Sequence, residues 1–574
     1  MSNVLSVPPT TRRYCLHLAW GLILALVAQG CQRSPPAVVN APPSPAWFVD
    51  VTEESGLCFV HDAGPTGTYF LPQILGSGAA LFDFDNDGRL DVYLLQNGGA
   101  RGQTNRLFHQ ERDGRFTDVS AGSGLDIAGH NMGVAVGDVN NDGWPDVLVT
   151  QYGGVKLFVN NGNGAFTETA RQAGLESSLW GTSACFFDYD RDGWLDLAIA
   201  NYVDYDPSWR CDDLLGHRDY CHPNSYPGSV TRLYHNLGAP ASGRRIGFED
   251  VTLASGLGRV TAPGLGVVCA DFDGDGWPDI LVANDAKPNC LWINEHDGTF
   301  KDEALRRGLA LNGMGLPQGN MGIALGDVSS NGLFDVFISH LTEETHALYV
   351  QGPRGFFHDG TTAAGLTRSD WRGTGFGVVL ADFNQDGAMD LALVNGRVSR
   401  KPSSSGPLRG DFWDAYRERN QLFGNRGDGQ FRDLSADNAA LCGAPHVSRG
   451  LACGDVNQDG AVDLLVTAVG GRARLYRNAA PERGHWLLVR AVDPLLKRDA
   501  YGATVTVRCG GRRRIGLVQA GGSYLCSSDP RVHFGLGPCD TVDELRVLWP
   551  DGVEEVFPGW PTDRVVVLRK GEGR

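Results

Sequence analysis

Short, almost wholly apolar runs recur along the chain, and each follows a loop rich in aspartate. Val92–Leu95 is typical, and Val147–Val149 and Leu391–Val394 repeat it. Short runs without polar alternation are typical of strands buried on both faces. The hydrophobic pattern therefore predicts a β protein whose strands are joined by polar loops.

The polar loops share one spacing, Asp-x-(Asp/Asn/Ser)-x-(Asp/Asn)-Gly-x-x-Asp. The seven copies, numbered here in chain order, start at Asp83, Asp138, Asp188, Asp271, Asp327, Asp382 and Asp455. Alternating oxygen side chains with a glycine between them suit Ca²⁺, which takes about six to eight oxygen ligands. The helix–loop–helix calcium hand is excluded because its twelfth residue is Glu. Here the twelfth residues are Leu94, Val149, Ile199, Val282, Ile338, Leu393 and Val466.

Each loop belongs to a unit of four predicted strands. In the first unit these strands are Ala79–Phe82, Asp91–Leu95, Arg106–Phe108 and Phe116–Val119. Successive loops are 55, 50, 83, 56, 55 and 73 residues apart. We therefore expect an all-β fold, a seven-bladed propeller over residues 47–484, because radial repetition protects sheet edges.

The N-terminal part of this region predicts how the ring closes. Trp47–Leu57 matches the fourth-strand pattern of later units, for example Phe248–Thr252, whereas the last unit lacks such a strand. We expect the N-terminal strand to complete the seventh blade.

The two long spacings come from insertions at about Tyr202–Val230 and Val398–Asn420. Both follow a second strand, so they lie on the face opposite the Asp loops. They carry candidate ligand-binding residues: Tyr202, Tyr205, Trp209, Tyr220, His222, Tyr226, Trp413, Tyr416 and Arg417. Exposed aromatic side chains would favour a binding site. The same side chains could equally pack under their own loops.

The repeat pattern stops at the end of the predicted propeller. The segments Gly502–Val507, Arg531–Gly537 and Glu544–Trp549 predict instead a separate small antiparallel β domain over residues 485–571.

The acidic charge is explained by the loops themselves. The net charge is −17, while the loops hold 23 carboxylates at the alternating and ninth positions. No polycationic partner is needed, and nucleic acid is not expected because the one basic run, Arg512–Arg514, is short.

The N-terminus has the pattern of an export signal over residues 1–30. Arg12 and Arg13 precede an apolar stretch, and small residues lead to Cys31, as in a bacterial lipoprotein signal with Cys31 as the lipidated residue. A Pro-rich tether, residues 31–46, follows. Twin-arginine export and simple cleavage, with Cys31 an ordinary thiol, are the alternatives.

Cysteine usage fits an exported protein. Cys211 and Cys221 flank a polar insertion and are the best disulfide candidates. Cys185, Cys269 and Cys453 each precede an Asp loop within an apolar run and are expected to be buried thiols.

The repeats resemble the FG-GAP/VCBS repeats of integrin α chains and their bacterial relatives. The stretches Arg498–Ala503, Ser527–Gly537 and Leu548–Gly552 resemble an ASPIC/UnbV domain. This combination is similar to the cartilage-acidic-protein family over residues 47–571. The resemblance implies a calcium-stabilised extracytoplasmic protein, in a family mostly without a defined biochemical activity.

The resemblance also implies a ligand set in which positions 1, 3, 5 and 9 supply side chains and position 7 a backbone oxygen. The residues are Asp83, Asp85, Asp87, Arg89, Asp91; Asp138, Asn140, Asp142, Trp144, Asp146; Asp188, Asp190, Asp192, Trp194, Asp196; Asp271, Asp273, Asp275, Trp277, Asp279; Asp327, Ser329, Asn331, Leu333, Asp335; Asp382, Asn384, Asp386, Ala388, Asp390; and Asp455, Asn457, Asp459, Ala461, Asp463. Up to seven calcium ions are implied. The fifth loop offers only two carboxylates, so its site is expected to be weak or empty.

The leading functional hypothesis is a non-catalytic binding or adhesion protein of a bacterial envelope, lipid-anchored, whose partner is a protein or a glycan. The competing hypothesis is a polysaccharide lyase or hydrolase using the insertion-bearing face, although no Gly-x-Ser-x-Gly, His-Glu-x-x-His or Walker motif occurs. Glu343, Glu344 and His346 lie on that face, but a solvated loop is the simpler interpretation. The third hypothesis is a scaffold protein whose C-terminal domain docks onto a partner.

Overall fold

The computed structural model describes residues 45–213, 215–238, 246–400 and 410–574, and these form an all-β structure as predicted. The predicted signal, Cys31 and all but the end of the tether lie outside these residues. Within them, no helix is long and apolar enough to cross a membrane.

Seven four-stranded antiparallel sheets are built on one plan in the described residues, with an Asp loop between the first and second strands of each. In chain order their strands are Ala79–Phe82, Asp91–Leu94, Arg106–Gln110, Phe116–Asp118; Asn131–Gly137, Asp146–Gln151, Gly154–Asn160, Phe166–Glu168; Gly181–Phe187, Asp196–Asn201, Arg232–Asn236, Phe248–Asp250; Gly264–Ala270, Asp279–Asn284, Cys290–Asn294, Phe300–Asp302; Ile323–Gly326, Asp335–Ile338, Ala347–Gln351, Phe357–Asp359; Gly375–Ala381, Asp390–Asn395, Gln421–Asn425, Phe431–Asp433; and Ser448–Gly454, Asp463–Ala468, Arg474–Asn478 with Phe48–Asp50.

The sheets surround one axis. The first strand of each sheet contacts the first strand of the next, and that of the last sheet contacts that of the first. The ring is closed by the N-terminal strand, in which Phe48 pairs with Asn478 and Asp50 with Tyr476. The expected closure is therefore present.

Helices are few and short. The α-helices are Leu71–Leu75, Ala304–Arg307 and Ala439–Cys442, and the 3₁₀ turns are Pro223–Ser225, Leu257–Arg259, Leu366–Arg368, Phe412–Tyr416 and Ser435–Asp437. Two-residue strands add the pairs Cys211–Asp212 with Arg218–Asp219 and Ser229–Val230 with Thr261–Ala262.

The C-terminal region contains two further sheets. Their strands are His485–Asp493, Arg498–Asp499, Val532–Gly537 and Arg564–Arg569 in one, and Thr504–Cys509, Arg512–Leu517, Glu544–Leu548 and Glu554–Pro558 in the other. The expectation of a purely antiparallel domain is wrong in one detail, because the first and last strands pair in parallel, with Leu488 opposite Val565. The long intervening chain supplies the crossover that a parallel pair requires.

The C-terminal region is not separate from the propeller. Its segment 519–529, named here the plug, enters the centre of the ring. Ser523 pairs with Ile323, Leu81 donates its N–H to Ser527 O at 3.0 Å, and Val134 donates to Leu525 O at 3.1 Å. Tyr524 and Leu525 are fully buried in an apolar cluster that includes Leu265.

Glycines in the first strands make this close approach possible. A Cβ added at Gly78 would lie 2.5 Å from Leu525 O, and one at Gly450 would lie 2.6 Å from Cys526 Sγ. Neither contact is tolerable for a larger residue, so these positions require glycine to admit the plug.

Candidate metal centres

The seven Asp loops share one backbone conformation. Besides the glycine at position 6, the residue at position 4 also has positive φ, for example 59° at Asn86 and 88° at Gly88. Asn tolerates this left-handed region best among non-glycine residues. The role of position 4 was not foreseen from the sequence; its positive φ lets the loop curl so that its side-chain oxygens converge.

Backbone hydrogen bonds fix the first and ninth carboxylates. In the first loop, Asp83 accepts from the N–H of Asp87 at 3.0 Å and of Gly88 at 2.9 Å. Asp91 accepts from the N–H of Phe84 at 3.2 Å and of Gln110 at 2.8 Å. The ninth residue therefore ties the loop to the third strand.

Burial makes these carboxylates costly to ionise without a counter-ion. Burial is the largest cause raising the pKa of Asp83 to about 6 and that of Asp91, whose side chain is fully buried, to about 8. Burial likewise raises the pKa of Asp382 and that of Asp463 to about 8. A bound divalent cation would favour the charged forms and would thereby stabilise the loops at neutral pH.

In three loops, ligand atoms of three acidic residues lie within 4.8 Å of one another. These groups are Asp83, Asp85, Asp87; Asp188, Asp190, Asp192; and Asp271, Asp273, Asp279. In the third loop, Asp188 is only 5% exposed and its Oδ1 has no hydrogen-bond partner. An orphaned buried carboxylate oxygen facing two others fits a divalent cation.

Two histidines join loop carboxylates in a way that the sequence reading missed. His109 forms a group with Asp85 and Asp91, and His235 forms one with Asp190 and Asp196. The hydrogen bond to Asp196 is the largest cause raising the pKa of His235 to about 9. In the sequence, the available signal for these two ligands was a histidine directly before the last residue of a third strand, as at His109 and His235.

Neighbouring loops are joined by the side chains at position 4. Asn86 donates to Gly143 O at 2.8 Å, Asn141 to Gly193 O at 3.0 Å, and Arg191 to Gly276 O. Gln385 donates to Gly460 O and Gln458 to Gly88 O, both at 2.7 Å.

The fifth loop departs from the common plan. Among the described residues no such bond joins it to the fourth or sixth loop, and Gly274 has no side chain to make one. Its Asp335 also accepts from the N–H of Ser329 at position 3, at 2.8 Å. The loop with the fewest carboxylates is thus also the one at which, in the described residues, the series of position-4 bonds between neighbouring loops is interrupted. This series of bonds is called the belt below.

The C-terminal region covers the Asp-loop face. Arg498 donates to Asn141 Oδ1 at 2.8 Å and to Gly193 O at 3.1 Å, linking the second and third loops. His533 Nε2 lies 2.8 Å from Gly460 O, and Gly537 donates to Gln385 O at 2.9 Å. Residues that carry the ASPIC/UnbV resemblance are thus the ones that contact the loops.

The insertion-bearing face holds the candidate ligand residues, and most of them are buried. Tyr202, Tyr220, Tyr226, Trp413 and Tyr416 are at most 8% exposed. Tyr205 and Arg417 are half-buried, His222 is exposed and Trp209 is 53% exposed. Most of these aromatic side chains therefore pack beneath their own insertions, which is the second of the two interpretations given above.

Other predicted residues on this face are also held in place. Cys211 and Cys221 form a disulfide there. A second disulfide, not predicted from the sequence, lies in the C-terminal region and joins Cys509 and Cys539. His346 is buried and accepts from the N–H of His340 at 2.9 Å, so it is not part of a solvated loop. Glu344 is half-buried and accepts from Gly319, whereas Glu343 is exposed.

Comparison with known families matches both parts of this architecture. An FG-GAP-like repeat model matches residues 83–149, 138–199 and 271–338, and an ASPIC and UnbV model matches residues 495–574. Mouse cartilage acidic protein 1 is 28% identical over 357 residues, covering 53% of this chain and 54% of the relative. Cartilage acidic protein 1 of Xenopus tropicalis is 25% identical over 503 residues, covering 84% and 71%.

The chain fits the cartilage-acidic-protein family. The suspected resemblance is thereby confirmed, although the alignment spans only about half of the length of the mouse relative. Among solved structures, an Agrocybe aegerita lectin that recognises non-reducing terminal N-acetylglucosamine has a TM-score of 0.39 and 14% identity, covering 66% of this chain and 86% of the lectin. A likeness of this size carries no information on the ligand of this chain.

The metal-free protein is expected to lose stability as the pH rises from about 6.5 to about 8 and to level off above that. Asp91, Asp382 and Asp463 have pKa values raised from 3.8 to about 8, so in this window they are protonated in the folded chain and ionised in the unfolded chain, and their contribution is lost as the pH reaches about 8. Buried histidines such as His346, whose pKa burial lowers to about 4, are neutral throughout this window.

Thermal melts in EDTA at several pH values would measure this slope. Melts with excess calcium are the control, because an ion already binds the charged carboxylates and the slope should vanish. A flat profile in EDTA would contradict the assignment of these carboxylates.

Proposed function

We propose that this family member is an exported, calcium-loaded, non-catalytic binding protein, lipid-anchored through Cys31 to a cell envelope. The calcium ions stabilise the ring, and the insertion-bearing face binds a protein or glycan. Homology to cartilage acidic protein 1 and the FG-GAP-like repeats support a binding role.

One observation carries the choice of face. The C-terminal region contacts the Asp loops and the plug fills the centre, so the insertion-bearing face is the end of the ring that these contacts leave free. Proteins use such loop-bearing ends, held by a rigid scaffold, to bind partners.

An aromatic patch on this face is the proposed contact surface: Phe70, Tyr152, Tyr205, Trp209 and Tyr226. The Phe70 and Tyr152 ring centroids are 5.3 Å apart, and those of Trp209 and Tyr226 are 5.9 Å apart. The exposed carboxylates of Asp204 and Asp206 border it. The ring of Tyr226 is buried and packs against Tyr205 and Trp209, which are partly exposed. Partly exposed aromatic rings beside polar groups suit both sugar stacking and protein contacts.

Replacing Trp209 with Ala is expected to weaken binding by about 10-fold or more, the effect typical of an exposed aromatic anchor. The measurement is binding of the full chain to glycan arrays and to envelope extract, with the melting temperature unchanged. Trp209→Tyr should retain most binding, and Leu495→Ala, at an 89% exposed position in the C-terminal region, should be neutral.

The same assay separates the two functional classes. Binding without product formation supports the proposal. New reducing ends or unsaturated sugars would instead identify an enzyme. Binding by Trp209→Ala equal to that of the unaltered chain would show that the aromatic patch is not the contact surface.

A further inference from the structure

Two of the seven repeats place an imidazole beside the loop carboxylates. His109 and His235 occupy the same position, the last but one in the third strand of their sheets. In the other repeats this position holds Val159, Ile293, Val350, Gly424 and Arg477. At this strand position, the first and third repeats therefore have an imidazole that the other five lack.

The imidazole nitrogens lie at the same place relative to the third and ninth positions. His235 Nδ1 is 3.4 Å from Asp190 Oδ2 and 3.2 Å from Asp196 Oδ1. His109 Nδ1 is 3.6 Å from Asp85 Oδ2 and 3.2 Å from Asp91 Oδ1. For bonds of about 2.1 Å, ligand atoms around one ion are about 3.0–3.4 Å apart, so these groups have nearly the size of a zinc coordination shell.

Unpartnered polar atoms point to a missing ligand at both sites. Nδ1 of His109 is buried without a hydrogen-bond partner. In the third loop, Asp188 Oδ1 is also unpartnered, although Asp188 is only 5% exposed. In the first loop the corresponding oxygen of Asp83 accepts from Asp87, so this orphan is not a general property of the motif.

We propose that the first and third loops are mixed nitrogen–oxygen sites for a borderline divalent cation of the zinc class, with His109 and His235 as ligands. Imidazole suits such ions, whereas calcium takes oxygen ligands. Among the described residues, the remaining five loops have no histidine within a three-ligand group of this kind. This proposal rests on the cation-binding role of the loops, and it adds that the seven loops differ in the metal they select.

The same distances would also suit an imidazolium ion that donates hydrogen bonds to the two carboxylates. In that case the histidine replaces a cation instead of binding one. The two arrangements differ in one measurable respect, because only the first takes up zinc while calcium is in excess.

The test uses the full mature chain in a Cys58→Ser background, because Cys58 is an exposed thiol that can bind zinc. The protein is stripped with EDTA, equilibrated with excess calcium and titrated with zinc by calorimetry, with elemental analysis of the product. We expect two zinc ions per chain. His109→Val and His235→Val should each remove one zinc ion from the count. Each should lower the zinc affinity of its loop by about 100-fold or more, because even the loss of a residue that only hydrogen-bonds to a metal ligand typically lowers metal affinity by about 10- to 100-fold.

Two features keep the result interpretable. Valine occupies the same position in the second and fifth repeats, so both variants are expected to fold, and melts will verify it. His296→Asn is the control: His296 Nε2 lies 2.6 Å from Asp275 Oδ2, but among the described residues it belongs to no three-ligand group. Asparagine is used because His296 has a φ of 65°, which a β-branched residue such as valine tolerates poorly. This control should leave the zinc count at two.

Zinc uptake that is unchanged in both valine variants, or fully displaced by excess calcium, would overturn the proposal. If the chain keeps calcium but takes no zinc, this inference fails and the proposed calcium-loaded function stands. If it takes up neither ion, the proposed function fails as well.

Discussion

Replacing Tyr524 with Ala is expected to lower the free energy of unfolding of the whole molecule by about 3–5 kcal/mol. Tyr524 is fully buried at the centre of the ring, its ring centroid is 4.9 Å from that of Phe376, and its hydroxyl donates to Leu75 O at 3.0 Å. The change would open a cavity where the propeller and the C-terminal region share one core. Calorimetry or denaturant titration of the full chain measures the loss.

Two variants and the shape of the transition test this role of the plug. Tyr524→Phe keeps the ring and loses one hydrogen bond, so it should cost only about 1 kcal/mol. Leu495→Ala, exposed in the same C-terminal region, should have no effect. Because the plug bonds to several sheets, one cooperative transition is expected. Two separate transitions, with that of the propeller unmoved by Tyr524→Ala, would contradict a shared core.

Removing calcium is expected to lower the melting temperature by roughly 10 °C or more. Each site adds about 2.7 kcal/mol when free calcium is about 100 times its dissociation constant. Three such sites would contribute about 8 kcal/mol, comparable with the total stability of an ordinary domain. The physical source is the converging carboxylates, as in the group Asp271, Asp273 and Asp279 of the fourth loop. Melts with excess EDTA and with restored calcium measure the effect.

Single-loop variants locate this stabilisation. Asp455→Asn should reduce the calcium-dependent rise in melting temperature, whereas Asp327→Asn should reduce it less, because the fifth loop has two carboxylates and lies outside the belt of loop-to-loop bonds. Magnesium, which prefers a smaller octahedral shell, should substitute poorly. Equal effects of the two variants would show that the fifth loop binds as strongly as the others.

The repeating part of the fold could be predicted from the sequence because its signals are local. An apolar run after each Asp loop predicted the second strands, such as Asp91–Leu94, within a residue. The pairing of Phe48–Asp50 with the last sheet followed from its likeness to other fourth strands. Such patterns lie within a few residues of the element that they predict.

The plug could not be predicted because its partners are distant in sequence and its own pattern is uninformative. Ser523–Ser527 mixes small polar and large apolar residues with neither helical nor strand periodicity, and Ser527 Oγ bonds to Val136, 391 positions away. Glycines such as Gly78, just before a first strand, and Gly450, near the start of another, were the available signal, because glycine at these places can admit a chain at the axis.

The candidate sites show the same limit. Spacing alone placed oxygens at alternate positions of each loop, but it could not show that His235 approaches Asp190 from a strand beyond an insertion. Nor could composition distinguish exposed Trp209 from Tyr416, which lies within the same kind of polar insertion and is fully buried. Burial depends on which insertions pack together, and that is decided by the ring.

Calcium content is the most direct measure of the central claim, that divalent ions neutralise the converging carboxylates of the Asp loops. Elemental analysis of the purified chain, after dialysis against calcium-free buffer, should give six or seven calcium equivalents in total, with zinc counted where it replaces calcium in the first and third loops. A chain that carries no divalent metal, yet melts at the same temperature and resists protease equally well, would contradict the account.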